Sequence, residues 1–204
     1  SGLLRITDGT LFDGFSKGLG SQDGGSYLQE GGTVTCWQFR PRSVAGNPPF
    51  SFTQTGGTLN VGYGYDLSGG KIDEFEVDYA RFDLRSANST FQMSGTAVLN
   101  VAKPTSNADA GIDGGLFVIA STPNNVSVTG GTVNLYIGVE RSTNESYPGY
   151  INSTAPLYNV NIYKESATAQ TPQLQTNSLV VLNNLTINTI AGNSPSFITN
   201  DLNV

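Results

Sequence analysis

Five stretches of this chain repeat nearly the same phrase. Leu4-Arg5-Ile6-Thr7-Asp8-Gly9-Thr10 comes first. Tyr27-Leu28-Gln29-Glu30-Gly31-Gly32-Thr33-Val34 and Phe52-Thr53-Gln54-Thr55-Gly56-Gly57-Thr58-Leu59 follow. Phe91-Gln92-Met93-Ser94-Gly95-Thr96 is a looser copy, and Val126-Ser127-Val128-Thr129-Gly130-Gly131-Thr132-Val133 a close one. The threonines closing the Gly-Thr step, Thr10, Thr33, Thr58, Thr96 and Thr132, lie 23, 25, 38 and 36 residues apart. A short period of 23–25, stretched where material is inserted, marks a solenoid. Solenoids are built by stacking like units, not by closing one globular core. The repeat therefore constrains shape strongly and chemistry weakly.

The residues after each Gly-Thr step alternate. One position on stand Leu11, Val34, Leu59, Ala97 and Val133; three on stand Asp13, Cys36, Val61, Leu99 and Leu135; five on stand Phe15, Gln38, Tyr63, Val101 and Ile137. Between them lie Thr35, Trp37, Asn60, Asn100, Asn134 and Tyr136. Period two with one apolar face predicts a strand, and the glycines before it predict a bend. Each unit thus reads as strand, bend, strand, with Cys36 buried as a small apolar residue. Stacking such units puts equivalent side chains about 4.8 Å apart. Gln29 and Gln54 then form an amide ladder, continued by Gln92 or Met93. The fourth unit is one residue longer from Phe91 to Val101 than the third from Phe52 to Val61, which predicts a bulge.

The C-terminal third drops the Gly-Gly-Thr bend but keeps the alternation, in Leu157–Tyr163 and Leu179–Asn188. Val160 and Leu185 are 25 residues apart, so the rung length persists. Segments 41–49, 102–112, 142–156 and 167–176, rich in small, polar and proline residues, read as protruding loops. No apolar stripe of helical period runs far enough for a helix. The expected fold is all-β: a right-handed parallel β-helix, or solenoid, with rungs of 23–25 residues. Residues 1–204 form one segment, with Gly-Gly-Thr rungs over 1–137 and Asn-rich rungs over 157–204. The rival is an antiparallel sandwich, which also spaces short strands closely. The last residues read as a strand and neither end carries a recognisable cap, so the segment is expected to be part of a longer chain or to stack on neighbouring chains.

Composition narrows the function classes. Only 13% of the 204 residues are charged and the net charge is −6, which argues against a nucleic-acid partner. No apolar run reaches the length of a membrane span. There is no histidine and one cysteine, which excludes histidine-based nucleophilic catalysis, histidine or paired-cysteine metal sites and an internal disulfide.

Three groups of residues are candidates for a site. Glu74, Glu76 and Asp78 alternate along an acidic stretch with Arg81 and Arg85 close by. Such carboxylates suit a glycosidase or a lyase, or calcium, or simply a solvated strand face. Asp109 and Asp113 sit in a Gly-rich element that loosely follows a calcium loop, without its alternating ligands or terminal Glu. Trp37 and Tyr136 fall on equivalent outward positions, with Tyr65 nearby in an intervening rung; such aromatic rings stack on sugars or shelter loops.

The units Thr55–Val61 and Thr129–Tyr136, with Leu157–Ile162 before Leu182–Ile187, resemble repeats of very large secreted surface proteins of Bacteroidetes-type bacteria, including adhesin-like proteins exported by the type IX system. The resemblance covers most of the chain and rests on scaffold motifs that other β-helices share, so it carries over no functional residue. It implies an extracellular, cell-surface location and an adhesive or stalk role. The residues themselves call for no cofactor, with calcium the one candidate ion, and leave surface glycans or neighbouring rungs or chains at the uncapped ends as partners. The residues leave two alternatives beside it: a carbohydrate-active enzyme using the Glu74/Glu76/Asp78 face, and a glycan-binding module using the outward aromatics.

Overall fold

The computed structural model describes residues 2–13, 24–36, 38–41, 48–62, 82–102, 117–137, 149–164, 172–189 and 202–203. Within them the chain visits three sheets in turn. The first tier is β1 (Gly2–Ile6), a bend, and β2 (Thr10–Asp13). The second is β3 (Gly25–Gln29) and β4 (Thr33–Cys36), followed by Phe39 as an isolated bridge. The third is β5 (Phe50–Gln54), β6 (Thr58–Val61) and β7 (Phe82–Leu84). The fourth is β8 (Thr90–Met93), β9 (Val98–Ala102) and β10 (Phe117–Ile119). A 3-10 turn at Pro123–Asn125 leads to β11 (Val126–Val128), β12 (Thr132–Ile137) and β13 (Gly149–Ser153). Then come β14 (Leu157–Lys164), β15 (Pro172–Leu174), β16 (Leu179–Thr189) and β17 (Leu202–Asn203).

Every strand pairs in parallel with its counterpart one tier away. The first strands form a five-stranded sheet, β1-β3-β5-β8-β11. The second strands form an eight-stranded sheet, β17-β16-β14-β12-β9-β6-β4-β2, and the third strands a four-stranded one, β15-β13-β10-β7. The chain is therefore all-β with parallel sheets, and no antiparallel pairing occurs among the described residues.

The Gly-rich bends allow this stacking. Gly57 has φ +72°, and a Cβ there would lie 2.4 Å from the Gly31 carbonyl oxygen one tier below. Only a residue without a side chain tolerates both the conformation and the approach. With that approach the Thr58 amide donates to the Gly32 carbonyl at 2.9 Å, and the tiers lock in register.

The predicted inward rows form the core. Val34, Leu59, Leu99, Val133 and Val160 line up through the eight-stranded sheet, beside Cys36, Val61, Val101, Leu135 and Ile162, and all are buried. Val160 pairs with Leu185, as the spacing predicted. The fourth unit departs from its sequence alignment. Leu99, not Ala97, stands over Leu59, and Val101 over Val61, so Thr96 is not the counterpart of Thr58. The extra residue lies in the bend, where the Ala97 amide closes a turn onto the Ser94 carbonyl; the strand itself is unbroken. A register shift does occur elsewhere. Leu157 pairs with Val181 but Asn159 with Asn184, so β16 carries one additional residue, and Leu182 beside it is 49% exposed.

Against the aliphatic rows stand two columns of aromatic rings. Tyr27, Phe52 and Phe91 stack at 5.4 and 5.3 Å with interplanar angles of 8° and 6°. Phe39, Phe82 and Phe117 stack at 5.1 and 5.5 Å from the opposite wall. The columns meet edge to face, with Phe52 at 5.3 Å from Phe39 and 5.1 Å from Phe82. Stacked and edge-to-face pairs each add about 0.5–1.5 kcal/mol beyond the area they bury.

Tyr27 adds a polar handle. Its hydroxyl donates to Gln29 Oε1 at 2.8 Å, and Gln54 Nε2 donates to the same oxygen at 3.1 Å. This is the expected amide ladder, and Met93 occupies the next position; Gln92 is exposed on the other face. Methionine offers no donor, and Gln54 Oε1 has no hydrogen-bond partner among the described residues.

Phe52 contacts both columns, so Phe52→Ala is expected to cost about 3–5 kcal/mol in urea unfolding, read as a lower transition midpoint that coincides for different probes. Burial, with a smaller contribution from nearby Cys36, raises the Tyr27 phenol far above its ordinary value. A raised acid stabilises the fold fully below the unfolded value of about 10 and progressively less above it. Stability is therefore expected to fall above that pH, and Tyr27→Phe to flatten this alkaline loss in a denaturation series.

Candidate functional site

Most of the sequence candidates lie outside the described residues. Glu74, Glu76, Asp78 and Arg81 fall outside the described residues, as do Trp37, Tyr65, Asp109 and Asp113. Tyr136 lies in β12, in register between Ala102 and Tyr163. Arg85, considered as a partner for the acidic stretch, engages Asp83, with Nε donating to Oδ1 at 2.8 Å.

The described residues build a different set of polar features. The longest is an asparagine row on the eight-stranded sheet. Asn161 Nδ2 donates to Asn134 Oδ1 at 2.7 Å, Asn134 to Asn100 at 2.7 Å, and Asn100 to Asn60 at 2.8 Å. Asn60 Nδ2 closes the row on Thr35 Oγ1 at 3.2 Å. Each asparagine occupies the outward position between two buried aliphatic residues, as in Leu59-Asn60-Val61. The strand alternation sets its direction, and the tier spacing sets its reach to the next amide.

A second row starts at β14. Asn159 Nδ2 donates to the Gly131 carbonyl at 3.1 Å, and Asn183 and Asn184 donate to Asn159 Oδ1 at 2.8 and 3.3 Å. The additional residue in β16 brings both amides to one acceptor. Asn177 donates to Asn152 at 2.7 Å at the edge of the four-stranded sheet.

Further polar features stand apart from the amide rows. Asp83 in β7 is 1% exposed, with Arg85 Nε at 2.8 Å and Arg40 Nε at 3.4 Å from Oδ2. Two guanidiniums flank the buried carboxylate, an arrangement that compensates its desolvation. The outer face of the five-stranded sheet carries hydroxyls, with Thr90 Oγ1 donating to Ser51 Oγ at 2.9 Å and Thr53 Oγ1 to Gln92 Oε1 at 3.5 Å. Its one described ion pair joins Arg5 to Glu30 across 2.7 Å.

Chemically, these arrangements satisfy and align side-chain amides; they do not present a nucleophile with a base. Among the described residues, no three acidic or cysteine side chains converge to hold a metal ion. No helix among them is long and apolar enough to cross a membrane. Sequence reasoning missed the asparagine row. Its signal was visible, since Asn60, Asn100, Asn134 and Asn161 each follow and precede an aliphatic residue. Asp83 ends the acidic stretch in the sequence, and nothing in the spacing marks it as buried.

The row makes neighbouring asparagines interdependent. A double-mutant cycle of Asn100→Ala with Asn134→Ala is expected to give a coupling of about 0.5–1.5 kcal/mol in chemical unfolding. Asn100→Ala with Asn177→Ala, on separate rows, is expected to be additive within about 0.5 kcal/mol.

The chain matches no protein-family model, no curated protein and no solved structure.

Proposed function

We infer that this chain is a right-handed parallel β-helix segment that serves as a non-catalytic scaffold, a stalk or adhesive shaft, in a large secreted bacterial surface protein. The supporting observation is the asparagine row, which links five successive tiers by side-chain bonds from Asn161 to Thr35. Such a row acts along the stacking axis and nowhere else. A shaft needs axial cohesion of this kind, which the tier-to-tier backbone bonds and the aromatic columns reinforce. The order of the strands through the three sheets fits one coil of the chain per tier, and parallel crossovers are right-handed in nearly all cases. The resemblance of the Gly-Gly-Thr and Asn-rich units to type IX-exported adhesin-like repeats supports the cell-surface location. The low charge and the abundance of Ser, Thr and Asn suit a surface that meets solvent through neutral polar groups.

Antibody raised against the purified chain is expected to label intact cells of its source without permeabilisation. Label that appears only after permeabilisation overturns the location. The chain is also expected to leave a panel of acidic and neutral polysaccharides uncleaved; turnover that is lost on replacing Glu74, Glu76 and Asp78 overturns the scaffold reading in favour of the enzyme.

A further inference from the structure

The first bend differs from those above it in one chemical respect. Where the second and third bends carry Gly31-Gly32 and Gly56-Gly57, the first carries Asp8-Gly9. Both residues are exposed, and Gly9 has φ +81°. The Gly9 amide nitrogen lies 2.7 Å from Asp8 Oδ1, donating its hydrogen to the carboxylate. That contact holds the nitrogen beside the side-chain carbonyl carbon. A Cβ placed on Gly9 would meet no atom within 4 Å, so the space beside this residue is open to solvent.

We propose that Asp8-Gly9 is a site of spontaneous backbone rearrangement, and that its product releases the first tier from the stack. The Gly9 nitrogen attacks Asp8 Cγ when the carboxyl is protonated. The new N–Cγ bond forms as the Cγ–OH bond breaks, the amide proton is lost, and one water leaves. The product is a cyclic imide. Water then adds at either carbonyl of the ring. Attack at Cγ restores aspartate; attack at the backbone carbonyl breaks its bond to nitrogen and leaves isoaspartate, whose main chain runs through Cβ and Cγ. Solvent is the only co-reactant, and no electron is transferred.

The second tier has no room for the longer main chain. A Cβ on Gly31 would already lie 2.3 Å from the Thr7 carbonyl oxygen. One on Gly32 would lie 2.6 Å from the Gly9 oxygen and 2.8 Å from the Asp8 carbonyl carbon. The two bonds that hold the bend are Glu30 N–H to the Ile6 carbonyl and Thr33 N–H to the Gly9 carbonyl, both at 2.8 Å. An extra main-chain atom at Asp8 displaces the Gly9 carbonyl from Thr33, and the register of β2 on β4 goes with it.

The test is to hold the folded chain at near-neutral pH and physiological temperature and to map isoaspartate by peptide mass spectrometry and by methyl transfer from an isoaspartyl methyltransferase. Isoaspartate is expected to accumulate at Asp8, through an intermediate lighter by one water, and to be absent there in Asp8→Glu, whose ring closure is slower. Asp13-Gly14, Asp23-Gly24 and Asp113-Gly114 provide internal comparisons in the same digest. Conversion at Asp8 suppressed by an order of magnitude relative to the same chain in urea overturns the proposal, because the fold then protects the site. In the converted fraction, the Glu30 and Thr33 amides are expected to lose exchange protection while those of Thr55 and Thr58 keep it. Retained protection at Glu30 and Thr33 overturns the release of the tier.

Discussion

The structure depends on how closely one bend can sit on the next. At Gly57 the distance to the tier below leaves no space for even one carbon beyond the backbone. That approach brings the amide of each bend onto a carbonyl beneath it and sets the spacing of everything attached. Strands on either side then lie in parallel register, and side chains of equal position fall one above another. The aromatic columns, the aliphatic rows and the amide rows are all consequences of that single spacing. Lengthening a bend, as in the fourth tier, is tolerated because the turn at Ser94–Ala97 takes up the added residue and the strands beyond it resume their register.

Inside and outside use the spacing differently. The interior fills it with flat rings and branched aliphatics, whose thickness suits the tier separation, and the aromatic columns give way to Val126 and Ile151 in the fifth tier. The exterior fills it with amides, each long enough to reach the next. Gln29 and Gln54 bring the exterior solution into the core, and it lasts only two tiers because the third position is methionine. A buried amide row needs a partner at both ends, whereas an outward one can finish on a hydroxyl such as Thr35 or in solvent.

Much of this was legible in the chain. The Gly-Gly-Thr bends, the alternation after them and the pairing of Val160 with Leu185 follow from period and spacing alone. The fourth unit misled because Gly95-Thr96 matches the motif in letters, while the turn at Ser94–Ala97 delays the strand. The second aromatic column was hidden, since Phe39, Phe82 and Phe117 come from an isolated bridge and two three-residue strands separated by long insertions. The asparagine row was passed over for a physical reason: asparagine is a poor strand former and its outward position looks merely solvated. The candidate acidic residues and Tyr65 come from segments between the repeated units, where the period of the repeat gives no guide to how side chains are arranged.

The amide rows also have a direction. Asn159 directs its nitrogen at the Gly131 carbonyl, and Asn60, Asn100, Asn134, Asn161 and Asn177 all donate towards the preceding tier. Their dipoles therefore add head to tail instead of cancelling. Along this axis the backbone contributes little, because successive N–H and C=O groups of a strand point alternately to either neighbour. The rows give this sheet an electrical axis, positive towards the first tiers and negative towards the last, built from neutral side chains that all donate the same way.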